Sequence, residues 1–212
     1  QADFDIVGNV NPAQANAELC DLISSTLSDC GLKKDQFTIN ISNRKIVQGL
    51  IDDLKISEEK KIKVIRAIDK LDKPGFGLKG VEDLLKKERK DQSGAVTKGA
   101  DLTNDQAAQI LNFLKIKDLK ELKQILKNPL SQEGIKELED VFEILGYGSN
   151  LKQVKSNFTI VRGLAYYSDF IVETNLNFKV TNNKGKEVDI GSICSGGAYA
   201  KLISRFRGVD VP

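Results

Sequence analysis

The sequence contains no histidine and no methionine among its 212 residues. Without an imidazole side chain, the chain lacks histidine-based metal sites, Ser-His-Asp relays and imidazole acid–base catalysis, so these function classes are excluded. A natural gene product starts with methionine, whereas this chain starts with Gln1. We therefore expect the sequence to be processed, cut or incompletely represented at its front end.

Cysteine is scarce, and long apolar runs are missing. The three cysteines, Cys20, Cys30 and Cys194, are odd in number and far apart. This spacing excludes a disulfide framework and a four-thiolate zinc site, and it suits a reducing compartment. No apolar run approaches the roughly 18 residues that a bilayer span needs, and the N-terminus has no signal-peptide pattern. These features predict a cytoplasmic protein with no membrane segment.

Neither sign of charge dominates the whole chain, which has 32 basic and 30 acidic residues and a net charge of +2. This balance excludes a protein that coats nucleic acid with its entire surface. Between Lys55 and Lys127, however, 18 basic and 12 acidic residues give +6, which leaves −4 for the rest. The lysine-rich block, with Lys86–Lys90 as candidate contacts, either binds a polyanion or presents solvated helix faces. Charge alone leaves both interpretations open.

Helix and strand patterns alternate at the front of the chain. Asn11 and Pro12 can open a helix that Gly31 ends. Phe37–Ile41 alternates apolar and polar residues, which is typical of a half-buried strand, and a second helix is expected over Asn43–Leu54. The first segment is therefore of the α/β type.

The middle of the chain, from about Ile56 to Gly146, reads as a series of amphipathic helices. Ser57 and Thr103 are candidate caps for two of them, and Lys90–Ala100 is loop-like. Strand patterns return after this block, and they are listed here with the final helix: Phe158–Val161, Ile171–Val180, a hairpin through Thr181–Gly185 to Glu187–Ile190, and a helix over Ala198–Arg205. The predicted organisation is a mixed α/β body (residues 1–55 and 147–212) interrupted by a helical domain (residues 56–146).

The densest polar and aromatic cluster is Val161–Ser168. An arginine followed by two tyrosines at a strand end can hold an anion and wall an aromatic ligand. The same pattern also fits a structural arginine with core and edge tyrosines. No Walker-type phosphate loop is present, and Cys194 has no histidine to activate it as a nucleophile, so it reads as a small core or pocket residue.

Two motifs resemble the signatures of histidyl-tRNA synthetases. Arg162–Tyr167 (RGLAYY) resembles their Arg-Gly-Leu-x-Tyr-Tyr peptide, and Ser195–Ala200 (SGGAYA) resembles their Gly-Gly-Arg-Tyr-Asp peptide, in the same order and at the same spacing. Gln1–Gly8 resembles the strand after the second class II motif, and Lys90–Ala100 resembles part of the insertion domain of one bacterial branch. The resemblance implies a mixed, mainly antiparallel class II synthetase sheet with flanking helices, interrupted by an all-helical insertion domain.

The resemblance also implies roles for individual side chains. Arg162 would contact the ATP α-phosphate and the histidine carboxylate, as the cation that stabilises charge at phosphorus. Gln1 and Asp5 would face the substrate amine and imidazole, whereas ordinary strand-edge polarity is the alternative for both. Tyr167 and Tyr199 would complete the imidazole pocket. The full set of candidate substrate-binding residues is Gln1, Asp5, Arg162, Tyr166, Tyr167 and Tyr199, with Arg162 as the catalytic candidate.

The activity implied by the resemblance is ATP-dependent activation of histidine and its transfer to tRNA-His. ATP would be a co-substrate, accompanied by Mg²⁺ in the parent enzyme, and this chain would need no bound cofactor. The partners would be L-histidine, ATP and tRNA-His, the last through the basic helical insert, and the parent would be a homodimer. The family's ATP-binding arginines of motifs 2 and 3 have no counterpart in residues 1–212, so we expect the isolated chain to be inactive.

The second signature departs from the family pattern. Ala198 and Ala200 stand where the family has arginine and aspartate, and Ser168 with Asp169 stands where it usually has Thr-Gly. Paired alanines at charged positions indicate either engineering or degeneration. Two other functions therefore stay open: a non-catalytic, histidine-sensing relative such as the regulatory subunit of ATP phosphoribosyltransferase, and a ligand-free helical interaction module.

Overall fold

The computed structural model describes residues 2–73, 75–90, 96–148, 151–161, 167–188, 190–199, 204 and 206–208. Within these residues the chain forms a mixed α/β structure, as the sequence predicts. The seven α-helices of the described part are α1 (Pro12–Asp29), α2 (Arg44–Asp53), α3 (Glu58–Ile68), α4 (Gly77–Lys86), α5 (Asn104–Phe113), α6 (Leu119–Ile125) and α7 (Pro129–Gly146). None of these helices combines the length and apolar character that a membrane span requires.

The strands form one four-stranded sheet and two short hairpins. They are β1 (Phe37–Asn43), β2 (Arg89–Lys90), β3 (Val96–Thr97), β4 (Val154–Ser156), β5 (Phe170–Leu176), β6 (Val180–Thr181), β7 (Glu187–Val188) and β8 (Ser192–Gly197). The large sheet has the order β4-β1-β5-β8, with β1 parallel to β4 and β5 antiparallel to β8. The pairs β2–β3 and β6–β7 are antiparallel hairpins. The second of these confirms the predicted turn over Thr181–Gly185.

Two compact units divide the chain. The first comprises Gln1–Ser42, Lys136–Ser156 and Gly163–Pro212, and it holds the four-stranded sheet. The second comprises Asn43–Ile135 and Asn157–Arg162, and it holds α2 to α6. The domain boundaries at 55/56 and 146/147 stay a prediction from the sequence.

The sheet unit has an apolar core because alternate side chains of its strands face the same side. Phe37, Ile39 and Ile41 of β1 are at most 1% exposed, and Phe170 and Val172 of β5 are at most 2% exposed. The same unit buries Ala17, Cys20 and Ile23 of α1 and Leu138, Val141 and Leu145 of α7. α1 begins as predicted, because the Asn11 side chain accepts hydrogen bonds from the backbone N–H groups of Ala13 and Gln14.

The predicted strand at Phe158–Val161 is wrong. β4 ends at Ser156, and the Asn157 side chain accepts hydrogen bonds from the backbone N–H (3.2 Å) and the hydroxyl (2.7 Å) of Thr159. The N–H of Ile160 also donates to the Asn157 carbonyl at 3.2 Å. The Asn157 side chain thereby satisfies backbone hydrogen bonds that a neighbouring strand would otherwise make, and the segment forms a turn. The apolar residues of Phe158–Val161 are buried all the same.

The ends of two other predicted elements also differ. The long strand predicted for Ile171–Val180 stops at Leu176 and resumes only as β6 at Val180. The helix predicted to begin at Ala198 does not begin there, because the N–H of Ala198 donates to Phe170 at 2.9 Å and continues the β5–β8 pairing. Helical backbone is found later, at residues 204 and 206–207, and the other residues of that segment lie outside the described part.

The helical unit has a core of aliphatic side chains, and its helix starts are well defined in the sequence. Fully buried members include Ile51, Ile68, Leu85, Ile110 and Leu122. α2 packs against the start of α7, where the Ser131 hydroxyl donates to the Ile46 carbonyl at 2.9 Å. A Cβ on Gly49 would lie 2.2 Å from the Ser131 Oγ, so only glycine fits at this crossing.

A cap of α5 provides a first test of the helical unit. The Thr103 hydroxyl accepts the N–H of Gln106 at 3.2 Å, and the Gln106 side chain accepts the N–H of Thr103 at 3.1 Å. Thr103→Ala is expected to lower the free energy of unfolding by about 1 kcal/mol, because the first turn loses this reciprocal pair. Urea unfolding followed by circular dichroism measures the change.

Ser57 provides the matched control for this test. Ser57 holds the same position at the start of α3 but makes no side-chain capping hydrogen bond. Ser57→Ala should therefore change the stability much less than Thr103→Ala, and equal losses for the two variants would contradict the capping argument.

Candidate functional site

Three of the six candidate residues lie in the described part of the sheet unit. Asp5, Tyr167 and Tyr199 are described, whereas Gln1, Arg162 and Tyr166 lie outside the described residues. The geometry therefore bears on the side chains predicted to bind the amino acid and not on Arg162.

Pairing between β5 and β8 places the residues that follow the first signature motif beside the second motif. Ile171 pairs with Gly197, and Val172 pairs with Gly196. The ladder continues beyond the strand ends, because the N–H of Ser168 donates to the carbonyl of Ala198 at 2.9 Å. Residues that follow Arg162 and residues of the second signature thus become neighbours across one antiparallel pair. The hairpin between them, seen in the sequence only as a spacer, produces this neighbourhood.

Asp5 and Tyr199 form a short hydrogen bond. The Tyr199 hydroxyl donates to Asp5 Oδ1 at 2.6 Å, although the two residues are 194 positions apart. Asp5 is exposed and Tyr199 is half-buried, so the pair lies at the surface of the sheet unit. This length is typical of a hydroxyl donating to a carboxylate, the stronger class of hydrogen bond. The second carboxylate oxygen of Asp5 can still accept a hydrogen bond from a ligand N–H.

Tyr167 lies against the backbone of β8. A Cβ built on Gly197 would be 2.9 Å from Tyr167 Cγ and 3.0 Å from its Cδ2. Real Cβ atoms do not approach so closely, so the ring occupies the space that a side chain at position 197 would need. Tyr167 and Tyr199 therefore both lie at the end of β8, and their role as walls of one pocket stays a prediction.

Ser168 and Asp169, noted in the sequence only as a departure from the family pattern, form a local pair. The Ser168 hydroxyl donates to Asp169 Oδ2 at 2.6 Å, and both residues are half-buried. Ser168 is also the residue whose N–H extends the β5–β8 pairing to Ala198. This backbone hydrogen bond holds the position next to Tyr199 without any contribution from the side chain of residue 198.

A polar ladder along β1 and β5 was not found by sequence reasoning. Asn40 Nδ2 donates to Asn175 Oδ1 at 3.0 Å, and the Thr38 hydroxyl donates to Asn177 Oδ1 at 2.9 Å. The partner's residue number falls from 177 to 175 as the number in β1 rises from 38 to 40, so β1 and β5 run antiparallel. Period-two alternation in β1 was the available signal, because it places Thr38 and Asn40 on the face opposite its isoleucines.

Two of the thiols, those of Cys20 and Cys194, are not suited to nucleophilic chemistry. Burial, with a smaller contribution from Asp21, raises the pKa of Cys20 to about 12. Burial also raises the pKa of Cys194, which is half-buried and pairs with Thr174 across β8 and β5. Both thiols stay protonated near neutral pH, which agrees with a packing role.

Thiol labelling tests these environments. Cys30 is exposed, whereas Cys20 is fully buried. At pH 8 an iodoacetamide reagent is expected to modify Cys30 first, Cys194 slowly and Cys20 only after unfolding, because the thiolate is the reactive form. Peptide mass spectrometry over time gives the three rates, and a urea-denatured sample serves as the control. Equal rates for Cys20 and Cys30 in native buffer would contradict the structure.

Comparison with known proteins identifies the family. The histidyl-tRNA synthetase family matches the sequence over residues 1–212. The chain belongs to the histidyl-tRNA synthetase family. It is 80% identical over all 212 residues to a histidine–tRNA ligase from Pelagibacter ubique, strain HTCC1062, and it covers 46% of that protein. The chain thus spans about half the length of the relatives that it matches.

Solved structures of this family share the fold. A histidyl-tRNA synthetase from Nostoc sp. PCC 7120 superposes with a TM-score of 0.71 at 28% identity, over 95% of this chain and 43% of that one. The class II synthetase fold implied by the signatures is therefore confirmed. A protein from Bacillus halodurans, described as an ATP phosphoribosyltransferase regulatory subunit/histidyl-tRNA synthetase, superposes with a TM-score of 0.69 at 19% identity, over 94% of this chain and 46% of that one. At that identity the likeness extends to the fold alone.

Proposed function

We propose that this chain is part of the catalytic domain of a histidine–tRNA ligase, with the amino-acid pocket at the end of β8. The observation that carries the proposal is the Tyr199–Asp5 hydrogen bond of 2.6 Å, two residues along the chain from Gly197, on which the Tyr167 ring lies. A carboxylate oriented by a phenol can accept an imidazole N–H, and a pocket built to hydrogen-bond its substrate rejects apolar rings of similar shape. Family membership supplies the reaction: activation of histidine by ATP, then transfer to tRNA-His.

Within this proposal the residues have separate tasks. Asp5, with Gln1, holds the imidazole and amine of histidine, and Tyr166, Tyr167 and Tyr199 wall the pocket. Arg162 stabilises the negative charge that builds up at the ATP α-phosphorus when the histidine carboxylate attacks. No general base is needed, because the attacking carboxylate is already an anion.

ATP is a co-substrate of the proposed reaction, and Mg²⁺ would accompany it. Among the described residues no group of three or more cysteine, aspartate or glutamate side chains could hold a metal ion. The described acidic residues therefore do not form a resident metal site, and we assign no step to the ion.

Histidine-dependent ATP–pyrophosphate exchange on the complete gene product tests the proposal. We expect exchange from the complete protein and none from the 212-residue chain. Absence of exchange from the complete protein, with histidine binding still measurable by calorimetry, would instead support the histidine-sensing alternative. Ala198, which replaces a charged family residue beside Tyr199, is the observation that favours this second function. Absence of both exchange and binding would leave the helical interaction module.

The basic helical unit is the proposed contact for tRNA-His. In α6 and the residue pair that follows it, Lys120, Lys123 and Lys127 are exposed and spaced three and four apart, while Leu122 and Leu126 are buried. Helical spacing places Lys120 and Lys123 on one side of α6, whereas Leu126, between α6 and Lys127, is extended. Lys86 Nζ lies 2.8 Å from Glu82 Oε1, and Lys127 Nζ donates to the Lys123 carbonyl at 3.4 Å. We propose that α6 shares the phosphate contact with Lys86–Lys90.

Neutralising these three lysines tests the RNA contact. A variant with Lys120, Lys123 and Lys127 changed to glutamine is expected to bind tRNA-His more weakly. The slope of the log of the binding constant against the log of the salt concentration should become shallower by about 2 to 3, because each phosphate contact that is lost no longer releases a counterion. Filter binding at several salt concentrations measures this.

Three lysines of the β6–β7 hairpin provide the control for the α6 variant. Lys179, Lys184 and Lys186 are exposed, and changing them to glutamine removes the same charge from the sheet unit. Equal losses for the two triple variants would show that only net charge matters.

We further propose that the parent protein is a cytoplasmic homodimer.

A further inference from the structure

Two consecutive glycines in β8 have different surroundings, although they share one strand and similar exposure. A Cβ on Gly196 would meet only Val172 Cγ1, at 3.4 Å, which is an ordinary contact. A Cβ on Gly197 would meet Phe170 O at 2.8 Å, Tyr167 Cγ at 2.9 Å and Tyr167 Cδ2 at 3.0 Å. Neither glycine has a positive φ, so alanine is compatible with the backbone at both positions. The difference between them is therefore one of space.

We propose that Gly197 is a positioning residue for Tyr167, since the missing side chain at position 197 is what allows the tyrosine ring to lie on β8 and form a wall of the amino-acid pocket. This inference rests on the proposed function, because the pocket is the one assigned there to histidine. It adds to the pocket a residue that touches no substrate and acts through the ring.

The geometry explains why a small intrusion at position 197 would matter. The atoms that the new Cβ meets are Cγ and Cδ2, at the base of the Tyr167 ring rather than at its mobile end. The ring must then rotate about χ1, and its hydroxyl, several times farther from Cβ than Cγ is, moves by a correspondingly larger amount. Movement in other directions is restricted, because the following residue, Ser168, is held to Ala198 by a 2.9 Å backbone hydrogen bond. Misplacing a binding group by about 1 Å is enough to cost up to 10²-fold in rate.

The contact with Phe170 O is the competing explanation. That carbonyl accepts the N–H of Ala198 at 2.9 Å, so a Cβ at position 197 also presses on the β5–β8 ladder. A purely structural role would therefore weaken the sheet whether or not a ring is present at position 167. The two explanations differ in what they predict when the ring is removed.

Exchange kinetics of the complete gene product distinguish the positioning role of Gly197 from a purely structural role. Gly197→Ala is expected to raise KM for histidine about tenfold or more and to leave KM for ATP within about twofold, because only the amino-acid wall moves. The matched control, Gly196→Ala, is expected to stay within about twofold for both substrates. In a Tyr167→Leu background, Gly197→Ala should add less than about threefold to KM for histidine. A full additional loss in that background, or equal effects of the two glycine variants, would overturn the proposal.

A measurement without any reaction distinguishes failure of this inference from failure of the proposed function. Fluorotyrosine labelling of the complete gene product gives a ¹⁹F signal for each tyrosine, and the signal that Tyr167→Phe removes is that of Tyr167. Without ligand, Gly197→Ala should shift the Tyr167 signal while Gly196→Ala leaves it in place. An unchanged signal would refute the positioning role even if the enzyme proves to be a histidine–tRNA ligase. A shifted signal, together with no exchange from the complete gene product, would refute only the proposed function and, with it, the assignment of the pocket to histidine.

Discussion

Asp5→Asn is expected to lower kcat/KM for histidine by about 10- to 100-fold in exchange assays of the complete gene product, which corresponds to about 1–3 kcal/mol for a hydrogen-bonding group left with the wrong partner. Asparagine keeps one oxygen, which can still accept the Tyr199 hydroxyl that now donates to Asp5 Oδ1. Its other polar atom becomes an N–H₂ donor, which would face a donor on the substrate instead of accepting from it.

Tyr199→Phe separates the hydrogen bond that Asp5 accepts from Tyr199 from the one that it is proposed to accept from the substrate. Removing the hydroxyl leaves the carboxylate intact but no longer oriented, so we expect a loss of about tenfold or less, smaller than that of Asp5→Asn. The matched control is Asp3→Asn, which removes the same charge from an exposed position two residues away. Discrimination against phenylalanine, measured in the same assay, should fall in Asp5→Asn. An unchanged KM for histidine in Asp5→Asn would show that this carboxylate does not face the imidazole.

Gly99→Ala is expected to have the largest effect on stability, a loss of about 3 kcal/mol or more in the helical unit, because the clash is with backbone that cannot rotate away. A Cβ at position 99 would lie 1.9 Å from the Lys87 carbonyl oxygen and 2.8 Å from that of Leu84. The segment is held in place next to the end of α4, since Ala100 donates to Leu84 at 2.8 Å and Leu102 donates to Leu85 at 3.0 Å. Losing this contact would expose Leu85, which is fully buried.

Urea unfolding followed by far-ultraviolet circular dichroism measures the effect of Gly99→Ala. Gly146→Ala is the control, because a Cβ at the end of α7 would meet nothing within 4 Å. That variant should be neutral or more stable by up to about 1 kcal/mol, since alanine restricts the unfolded chain. A Gly99→Ala variant as stable as the control would mean that the segment does not pack on α4 as described.

Local sequence signals were sufficient for most of the helical unit. Thr103 predicted the start of α5 because its cap and the glutamine three residues later lie within one turn. Asn11 and Pro12 predicted the start of α1 for the same reason. Such interactions connect residues within four positions of each other, so they can be read without knowledge of the fold.

The same local logic failed at Asn157. The apolar run Phe158–Val161 has strand composition, and its residues are indeed buried. Burial is shared by strands and by packed turns, however, and the Asn157 side chain supplied hydrogen bonds that replaced a neighbouring strand. Composition therefore indicated where the chain is buried and not which backbone form it takes.

By itself the sequence determined the family, the main helices of the middle segment, and the residue types of the candidate pocket, because each of these depends on short motifs and on their order. Only the tertiary structure decided which of those residues meet. The contact of Asp5 with Tyr199 spans 194 positions, and the packing of Tyr167 on Gly197 depends on the register of β5 and β8. A register shift of one residue would turn each side chain to the opposite face of the sheet, so distances of this kind are set by the paired strands and not by the motifs alone.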